Sequence, residues 1–244
     1  MAKNVLLTRA EGQNEKLASL LRAASISPRA IPMLEIRCEP PGKHFKQVAM
    51  NLDRYGHIVF VSQNAVACAL DDLEAFWPQW PAALRWHAVG AATGRLLRDR
   101  GIDVLVPDEP STEGMLASGV FDRVAGDKIL IVRGRGGREQ LAQELARRGG
   151  EVSYLEVYTR CPVTLAEDER QLLLALLPAV AVIYSGETLQ ALAANLGEVR
   201  KGLSIVVPSG RVRSVAADMG FGDVIVAQGP DEQSMLAAIR VALG

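Results

Sequence analysis

The segment "RGRGGR", from Arg133 to Arg138, contains the residue types that bind anions. Guanidinium groups hold carboxylates and phosphates through paired hydrogen bonds, and glycines let a backbone approach an anion closely. We therefore predict an anion-binding loop with Arg133, Gly134 and Arg138 as contacts; the alternative is that the arginines only face solvent. The segment lacks the GK[ST] ending of a P-loop, and Glu139 stands where a dinucleotide fingerprint has its third glycine.

Further polar turns follow apolar segments along the chain. Side-chain oxygens at such turns often cap the next helix, and helix N-termini also bind anions, so the residues alone leave both roles open. Glu11, Glu139 and Glu187 are expected to be first-turn carboxylates that interact with the helix dipole. The candidate binding positions at these turns are Arg9, Ser62, Asn64, Thr93, Ser185, Gly186, Ser209 and Arg211.

The turns are connected by an alternation of short apolar segments and amphipathic segments. "VLLT", "IVFV", "ILIV" and "SIVV" are almost entirely apolar, as parallel strands covered on both faces are. Between them, Leu17, Leu20, Leu21 and Ala24 have the spacing of one apolar helix face. The pattern predicts an α/β fold with doubly wound parallel sheets, in which ligands bind beyond the carboxyl ends of the strands.

The two halves of the chain repeat one pattern in one order. "VLLTRAEGQNEKLASLLRAA" is similar to "ILIVRGRGGREQLAQELARR", which sets Arg9 opposite Arg133. "IVFVSQNAVACAL" is similar to "AVIYSGETLQALA", which sets Ser62 opposite Ser185. The separation is about half the chain, far longer than a solenoid repeat of about 20–50 residues. We predict two α/β domains that arose by internal duplication.

The phrase "LEIRCEP" near the start of the chain returns as "LEVYTRCPV" in the second half. Prolines follow each copy and oppose regular strand pairing. We interpret 34–41 and 154–162 as paired extended crossings between the domains, that is, a two-stranded hinge. Two partitions stay open at this point: sequential halves, or a first βα unit that crosses over to the sheet of the C-terminal half.

Composition excludes several classes of protein. The net charge of −1 over 244 residues gives no field that would attract nucleic acid or a membrane. From its short apolar stretch without a cleavage site, the N-terminal segment is not expected to be a signal peptide, and the longest apolar stretch is too short to cross a bilayer. Three cysteines and three histidines have neither zinc-site nor disulfide-framework spacing. We expect a cytoplasmic protein without a metal or a disulfide.

Six short motifs in the observed order resemble those of uroporphyrinogen-III synthases over essentially the whole chain. They are "LLTRAEGQ", "IVFVSQNAV", "AVGAATGRLLRDRG", "ILIVRGRGGREQLAQEL", "VYTR" and "VIYSGETLQAL". The resemblance implies two α/β domains joined by a two-stranded crossing, with the first βα unit in the domain of the C-terminal half. The domains would be 1–37 plus 161–244, and 38–160.

The resemblance also implies an activity. These enzymes close the linear tetrapyrrole hydroxymethylbilane into a ring, invert ring D and release water, without a metal or an organic cofactor. The family's proton-donating tyrosine corresponds to Tyr158, and its contact positions correspond to Ser62, Asn64, Thr93 and Ser185. The chain departs from the family at "SGRV", which replaces a Thr-Thr turn; there Arg211 is expected to make an ionic contact instead.

Further partner predictions follow from the same resemblance. The substrate would be the small-molecule linear tetrapyrrole, and a transient contact with the preceding pathway enzyme is expected. The absence of an identifiable exposed apolar stripe on two small domains separately predicts a monomer. Two rival functions fit parts of the same pattern: a hinge-closing binding protein for a small anion, and a nucleotide-binding transferase that uses "RGRGGR" on phosphates. The chain lacks the helix-turn-helix reader or export signal of the first and the Walker lysine of the second.

Overall fold

A computed structural model describes residues 4–177 and 179–244, without the side chains of residues 200 and 201. The strands are β1 (Asn4–Leu7), β2 (Pro28–Ala30), β3 (Leu34–Cys38), β4 (His57–Phe60), β5 (Arg85–Ala88), β6 (Val104–Leu105), β7 (Lys128–Gly134), β8 (Glu151–Pro162), β9 (Ala179–Val182), β10 (Ser204–Val207) and β11 (Asp223–Val226). The α-helices are α1 (Glu15–Ala23), α2 (Lys43–Met50), α3 (Gln63–Phe76), α4 (Ala91–Arg98), α5 (Thr112–Ala117), α6 (Gln140–Arg147), α7 (Glu167–Ala175), α8 (Gly186–Leu196), α9 (Gly210–Asp218) and α10 (Glu232–Leu243). Short 3-10 helices lie at Leu52–Arg54 and Gly197–Gly202.

The chain forms two compact units. Unit 1 consists of Met1–Glu35 and Cys161–Gly244, and unit 2 of Ile36–Arg160. The chain passes between them twice, within β3 and within β8, which are neighbours in one sheet. The partition predicted from the sequence places the first boundary after residue 37, two residues later than the boundary in the structure. It places the second boundary after residue 160, as the structure does.

Unit 1 is built on a five-stranded sheet with the order β11-β10-β9-β1-β2. All four strand pairs are parallel. Successive residues of β1 point to opposite faces: Leu6 packs into one hydrophobic cluster, and Val5 and Leu7 pack into another. Both faces of the sheet are therefore covered, which explains the continuous apolar segments.

Unit 2 contains the six-stranded sheet, with the order β3-β8-β7-β4-β5-β6. The pairs from β8 to β6 are parallel. Ile58 and Phe60 of β4 pack on one face, while Val59 packs on the other. The predicted α/β class with parallel, doubly covered sheets is confirmed.

The two sheets share one connectivity. When the repeated sequence segments are matched, β2-β1-β9-β10-β11 of unit 1 corresponds to β8-β7-β4-β5-β6 of unit 2. The first strand of each repeat, β1 in unit 1 and β7 in unit 2, lies in the interior of its sheet. Its neighbour on one side is the next strand along the chain, β2 or β8. The shared order is the one that an internal duplication would produce, and the duplication itself stays a prediction.

Two cysteines differ from their expected state. Cys38, at the end of β3, forms a disulfide with Cys68 on α3, and Cys161 is free. The expectation of a chain without a disulfide is therefore wrong for this pair. The spacing of the cysteines did not predict this disulfide, because Cys38 and Cys68 are 30 residues apart in sequence and only the fold brings β3 next to α3.

Candidate functional site

A cavity of about 260 Å³ opens in unit 2 where β4 and β7 end. Its walls come from the end of β4, the start of α3, the loop between β7 and α6, and β8. The lining residues on which the site depends are Ser62, Arg133, Gly134, Gly136, Gly137, Arg138, Tyr154, Tyr158 and Arg160. The position agrees with the rule that ligands of parallel sheets bind beyond the carboxyl ends of the strands.

Tyr158 enters this cavity from β8. Its side chain is almost buried, and its hydroxyl lies 3.0 Å from the Ser62 hydroxyl. The aromatic ring occupies the place that a side chain at Gly134 would need, because a Cβ there would come within 2.4 Å of the ring. A β-bulge between Arg133 and Gly134 brings the two strands into this register.

Ser62 holds the first turn of α3 and the tyrosine at the same time. Its Oγ accepts a hydrogen bond of 3.1 Å from the backbone N–H of Ala65, as an N-cap does. The remaining Ser62 O–H can donate to the Tyr158 oxygen. In that arrangement the phenolic proton of Tyr158 is available to a ligand in the cavity.

The loop after β7 is folded around the side chain of Arg133. Arg133 is only 5% exposed, and its guanidinium donates to the carbonyls of Gly134 and Gly136 and to the Glu139 carboxylate. Its Cζ also lies 4.6 Å from the centre of the Tyr154 ring. Among the described residues, Arg138 of the same loop has no ion pair or hydrogen-bond partner, and it lines the cavity.

Tyr154 is a functional candidate that the sequence analysis did not identify, and Glu139 is one to which it assigned only a helix-dipole role. Glu139 occupies the N-cap position of α6, where its carboxylate accepts from both Arg133 and the Tyr154 hydroxyl. The hydrogen bond from Tyr154 lowers the pKa of Glu139, and burial together with the Glu139 carboxylate raises the pKa of Tyr154 to about 12. Glu139 therefore stays ionised and Tyr154 stays protonated at neutral pH.

The other two predicted positions of unit 2 lie on helices. Asn64 is half-buried in the first turn of α3. Thr93 is buried in α4, and the N-cap of that helix is Gly90, so of the two roles left open for Thr93 capping does not apply. Neither residue lines the cavity around Tyr158.

The predicted binding positions of unit 1 follow the strands of its own sheet. Ser185 caps α8, where its Oγ accepts from the Thr188 N–H at 3.2 Å, and Gly186 begins that helix. Ser209 occupies the N-cap position of α9 without a capping hydrogen bond from its side chain. Arg211 is exposed in the first turn of the same helix.

Arg9 of unit 1 repeats one feature of Arg133. Its Cζ lies 4.6 Å from the centre of the Tyr184 ring. Burial raises the pKa of Tyr184, whose hydroxyl has no hydrogen-bond partner among the described residues. Both matched arginines of the repeat therefore stack on a tyrosine, although the two tyrosines come from different positions of the repeat.

Two of the expected first-turn carboxylates differ from their prediction. Glu187 lies in the first turn of α8, as expected. Glu11 instead lies in the turn before α1, which begins at Glu15. Glu139 precedes its helix and is held by the side chains of Arg133 and Tyr154.

Comparison with known proteins decides the family. The family model for uroporphyrinogen-III synthase HemD matches residues 15–237. The chain belongs to the uroporphyrinogen-III synthase family. The uroporphyrinogen-III synthase of Escherichia coli (strain K12) is 30% identical over 97% of this chain and 100% of its own length. That of Salmonella typhimurium is 31% identical with the same coverage.

Solved structures of uroporphyrinogen-III synthases share the fold. The Helicobacter pylori enzyme covers 100% of both chains with a TM-score of 0.65 at 15% identity. A mutant of the Thermus thermophilus enzyme covers 99% of both chains with a TM-score of 0.63 at 15% identity. At this identity the likeness supports the fold, while the family model and the curated relatives support the function.

As a uroporphyrinogen-III synthase family member, the chain is an enzyme of tetrapyrrole biosynthesis that acts on a tetrapyrrole substrate. Family membership favours this function over a binding module for a small anion. Within the described residues, no three histidine, cysteine, aspartate or glutamate side chains are grouped so that they could hold a metal ion. No helix in the described part of the chain has the length and hydropathy needed to cross a membrane.

Proposed function

We propose that this chain converts hydroxymethylbilane into uroporphyrinogen III, with inversion of ring D and loss of water, as a hydro-lyase. Family membership supports the reaction, and the single observation that carries the mechanism is Tyr158 in the cavity of unit 2 with its hydroxyl 3.0 Å from Ser62. The cavity, at about 260 Å³, is slightly smaller than the ~300–1,000 Å³ typical of ligand sites. It would hold one part of a linear tetrapyrrole.

Tyr158 acts as the proton donor in this proposal. The Ser62 O–H donates to the Tyr158 oxygen and orients the phenol, so that the phenolic proton moves to the hydroxymethyl oxygen of the substrate as the C–O bond breaks. Water leaves, and an azafulvene cation remains on the substrate. Ring closure through a spiro intermediate then requires correct positioning more than further acid–base chemistry.

The arginines and helix N-termini bind the substrate's carboxylates in this proposal. In unit 2 Arg138 has the exposure and the unpaired charge that a carboxylate contact requires, and Gly134 and Arg133 complete the loop beside it. In unit 1 the proposed contacts are Arg9, Ser185, Gly186, Ser209 and Arg211, and in unit 2 Asn64 and Thr93 are added from the family pattern. We also propose that the protein is a cytoplasmic monomer that contacts the preceding pathway enzyme transiently.

The reaction is tested by product analysis. Hydroxymethylbilane is generated in situ, the protein is added, and the products are oxidised and separated as uroporphyrin isomers. We expect type III in clear excess over a reaction without protein, because uncatalysed closure gives the uninverted type I isomer. A heat-denatured sample serves as the matched control. Type I alone from a folded sample would refute the proposed function.

A further inference from the structure

The three arginines of the 133–138 loop have different environments, although sequence patterning treats them alike. Arg133 points under its own loop and is buried, and Arg135 is exposed and pairs with Glu39 at 3.7 Å. Arg138 lines the cavity without a partner among the described residues. A buried guanidinium is stable only when its charge and its donors are matched, so the environment of Arg133 is built for it.

Arg133 has partners on each nitrogen. Nε donates to the Gly134 carbonyl at 3.2 Å, Nη1 donates to the Glu139 carboxylate at 3.0 Å, and Nη2 donates to the Gly136 carbonyl. A guanidinium has five N–H donors, so three of them are committed within the loop. Few donors remain for a ligand, which separates Arg133 from a residue whose task is to bind the substrate.

The glycines of the loop fit around this guanidinium. Gly136 and Gly137 have φ values of +69° and +103°, which other residues rarely adopt. A Cβ at Gly137 would lie 3.0 Å from Nη2 of Arg133. The "RGRGG" composition is thus explained by the need to wrap backbone around an arginine, in addition to any need to approach an anion.

Tyr154 and Glu139 complete the arrangement. The Tyr154 ring lies against the Arg133 guanidinium, and its hydroxyl donates to the Glu139 oxygen that Arg133 does not use. The end of β7, the N-terminus of α6 and β8 are thereby fixed to one another at the wall of the cavity. Arg138 lies between Gly137 and Glu139, so its backbone position depends on this group.

We infer that Arg133, Glu139 and Tyr154 are positioning residues that fix the loop conformation in which Arg138 meets a carboxylate of the substrate. This inference deepens the proposed function and rests on it for the identity of the ligand. It assigns Arg133 a role beneath the loop in place of direct substrate contact. Tyr154 then acts through Glu139 and Arg133, and not through the proton-transfer step.

The first test measures the loop without substrate. In Tyr154→Phe the ring stays on Arg133 but the hydroxyl contact with Glu139 is lost, and in Glu139→Gln the ion pair with Arg133 is lost. We expect amide hydrogen exchange of residues 135–138 to become faster by roughly 3- to 10-fold in both variants, since one charge-assisted hydrogen bond is removed. Tyr55→Phe, the same chemical change elsewhere in unit 2, should leave these amides unchanged.

The second test is a double-mutant cycle on the enzyme reaction. Tyr154→Phe should raise KM by roughly 3- to 10-fold with kcat within about twofold, and it should have little further effect when Arg138→Ala is already present. Arg133→Lys, which keeps the charge and loses the forked contacts, should not restore the wild-type KM. A purely structural role would instead lower the melting temperature and leave KM unchanged.

The outcomes separate the two proposals. Unchanged exchange at 135–138 in both variants overturns the positioning role, whatever the enzyme assay gives. Additive effects of Tyr154→Phe and Arg138→Ala on KM overturn the action through Arg138. If the wild-type protein forms no type III isomer, the proposed function fails, and the exchange experiment still decides whether these three residues fix the loop.

Discussion

At the scale of single residues, the proposed mechanism depends on the Tyr158–Ser62 pair, in which Tyr158 would donate the proton. Tyr158→Phe keeps the ring against Gly134 and removes only the hydroxyl. We expect kcat to fall by about 10²-fold, the lower end for loss of a general acid, because the activated substrate also closes unaided. The measurement is the initial rate of type III formation together with the ratio of type III to type I.

Ser62→Ala is the matched comparison for that variant. It leaves the phenol in place but removes both its orienting hydroxyl and the N-cap of α3, so the rate should fall less than in Tyr158→Phe. A cap is worth about 1 kcal/mol, and both variants should remain folded. An unchanged rate in Tyr158→Phe would mean that the tyrosine only packs.

Residue types alone predicted the anion-binding loop but not the role of each arginine. The burial of Arg133 depends on Tyr154, which lies on a neighbouring strand and has no local signal beside the loop. Ser62 and Ser185 were identifiable as caps because a hydroxyl preceded an amphipathic helix. The N-cap of α4 was not identifiable in this way, because Gly90, which has no side chain to act as a signal, occupies that position in place of Thr93.

At the scale of elements, β4 and β5 bury two histidines side by side. His57 Nδ1 lies 2.9 Å from His87 Nε2, both rings contact Phe121, and the other His57 nitrogen lies 3.3 Å from the Asp127 carboxylate. Burial lowers the pKa of His87 to about 3, with further contributions from His57 and Arg85. Burial also lowers the pKa of His57, which Asp127 only partly opposes.

This pair makes stability depend on pH. Below the unfolded-state pKa of about 6.5 the unfolded chain binds protons that the folded chain rejects, so the free energy of unfolding falls as the pH decreases from 6.5 towards 3. Each histidine contributes at most about 1.4 kcal/mol per pH unit. Above pH 6.5 its contribution to stability is fully present.

The measurement is urea unfolding of wild type and His87→Gln at pH 7 and pH 5. We expect the variant to lose less stability than wild type between these two pH values, because one group that resists protonation has been removed. His44→Gln, at an exposed histidine of α2, should lose as much as wild type. Equal losses in wild type and His87→Gln would contradict the assignment.

Element prediction succeeded where strands are buried on both faces and failed at an edge. The segment "ILIV" lies within β7 and "AVIY" overlaps the end of β9, because parallel strands between two helical layers must be apolar throughout. β2, with the sequence Pro28–Ala30, was missed because it is a short and largely exposed edge strand of its sheet. Because β2 is so short and exposed, it needs no apolar residues and leaves no pattern in the sequence.

At the scale of the whole molecule, the order of the chain determines which parts can fold alone. Unit 2 is one continuous segment, and its two hydrophobic clusters contain only its own residues. In unit 1, β1 pairs with both β9 and β2 in the interior of the sheet, so residues 161–244 lack an inner strand without the N-terminal segment.

We expect a fragment of residues 36–160 to unfold cooperatively and a fragment of residues 161–244 to remain unfolded. Addition of a peptide of residues 1–35 should restore cooperative unfolding to the second fragment, and circular dichroism on heating measures both. The same peptide added to the first fragment is the control and should change nothing. Cooperative unfolding of residues 161–244 alone would contradict the expectation.

The partition of the chain shows the limit of spacing arguments. The sequence identified the two crossings, but sequential and exchanged halves have the same repeats at the same positions. Only the pairing of β1 with β9, which is a contact between distant parts of the chain, distinguishes them. The Cys38–Cys68 disulfide was missed for the same reason.

The close contact between Gly134 and the Tyr158 ring also limits which residues relatives can have at these two positions. Because the Tyr158 ring fills the space of a Cβ there, the two positions cannot vary independently. A relative that keeps an aromatic residue at the second position must keep glycine at the first. A relative that has lost the aromatic ring is released from that constraint, so alanine or serine can stand at the first position there; under the proposed mechanism, such a lineage would have to donate its proton from another group.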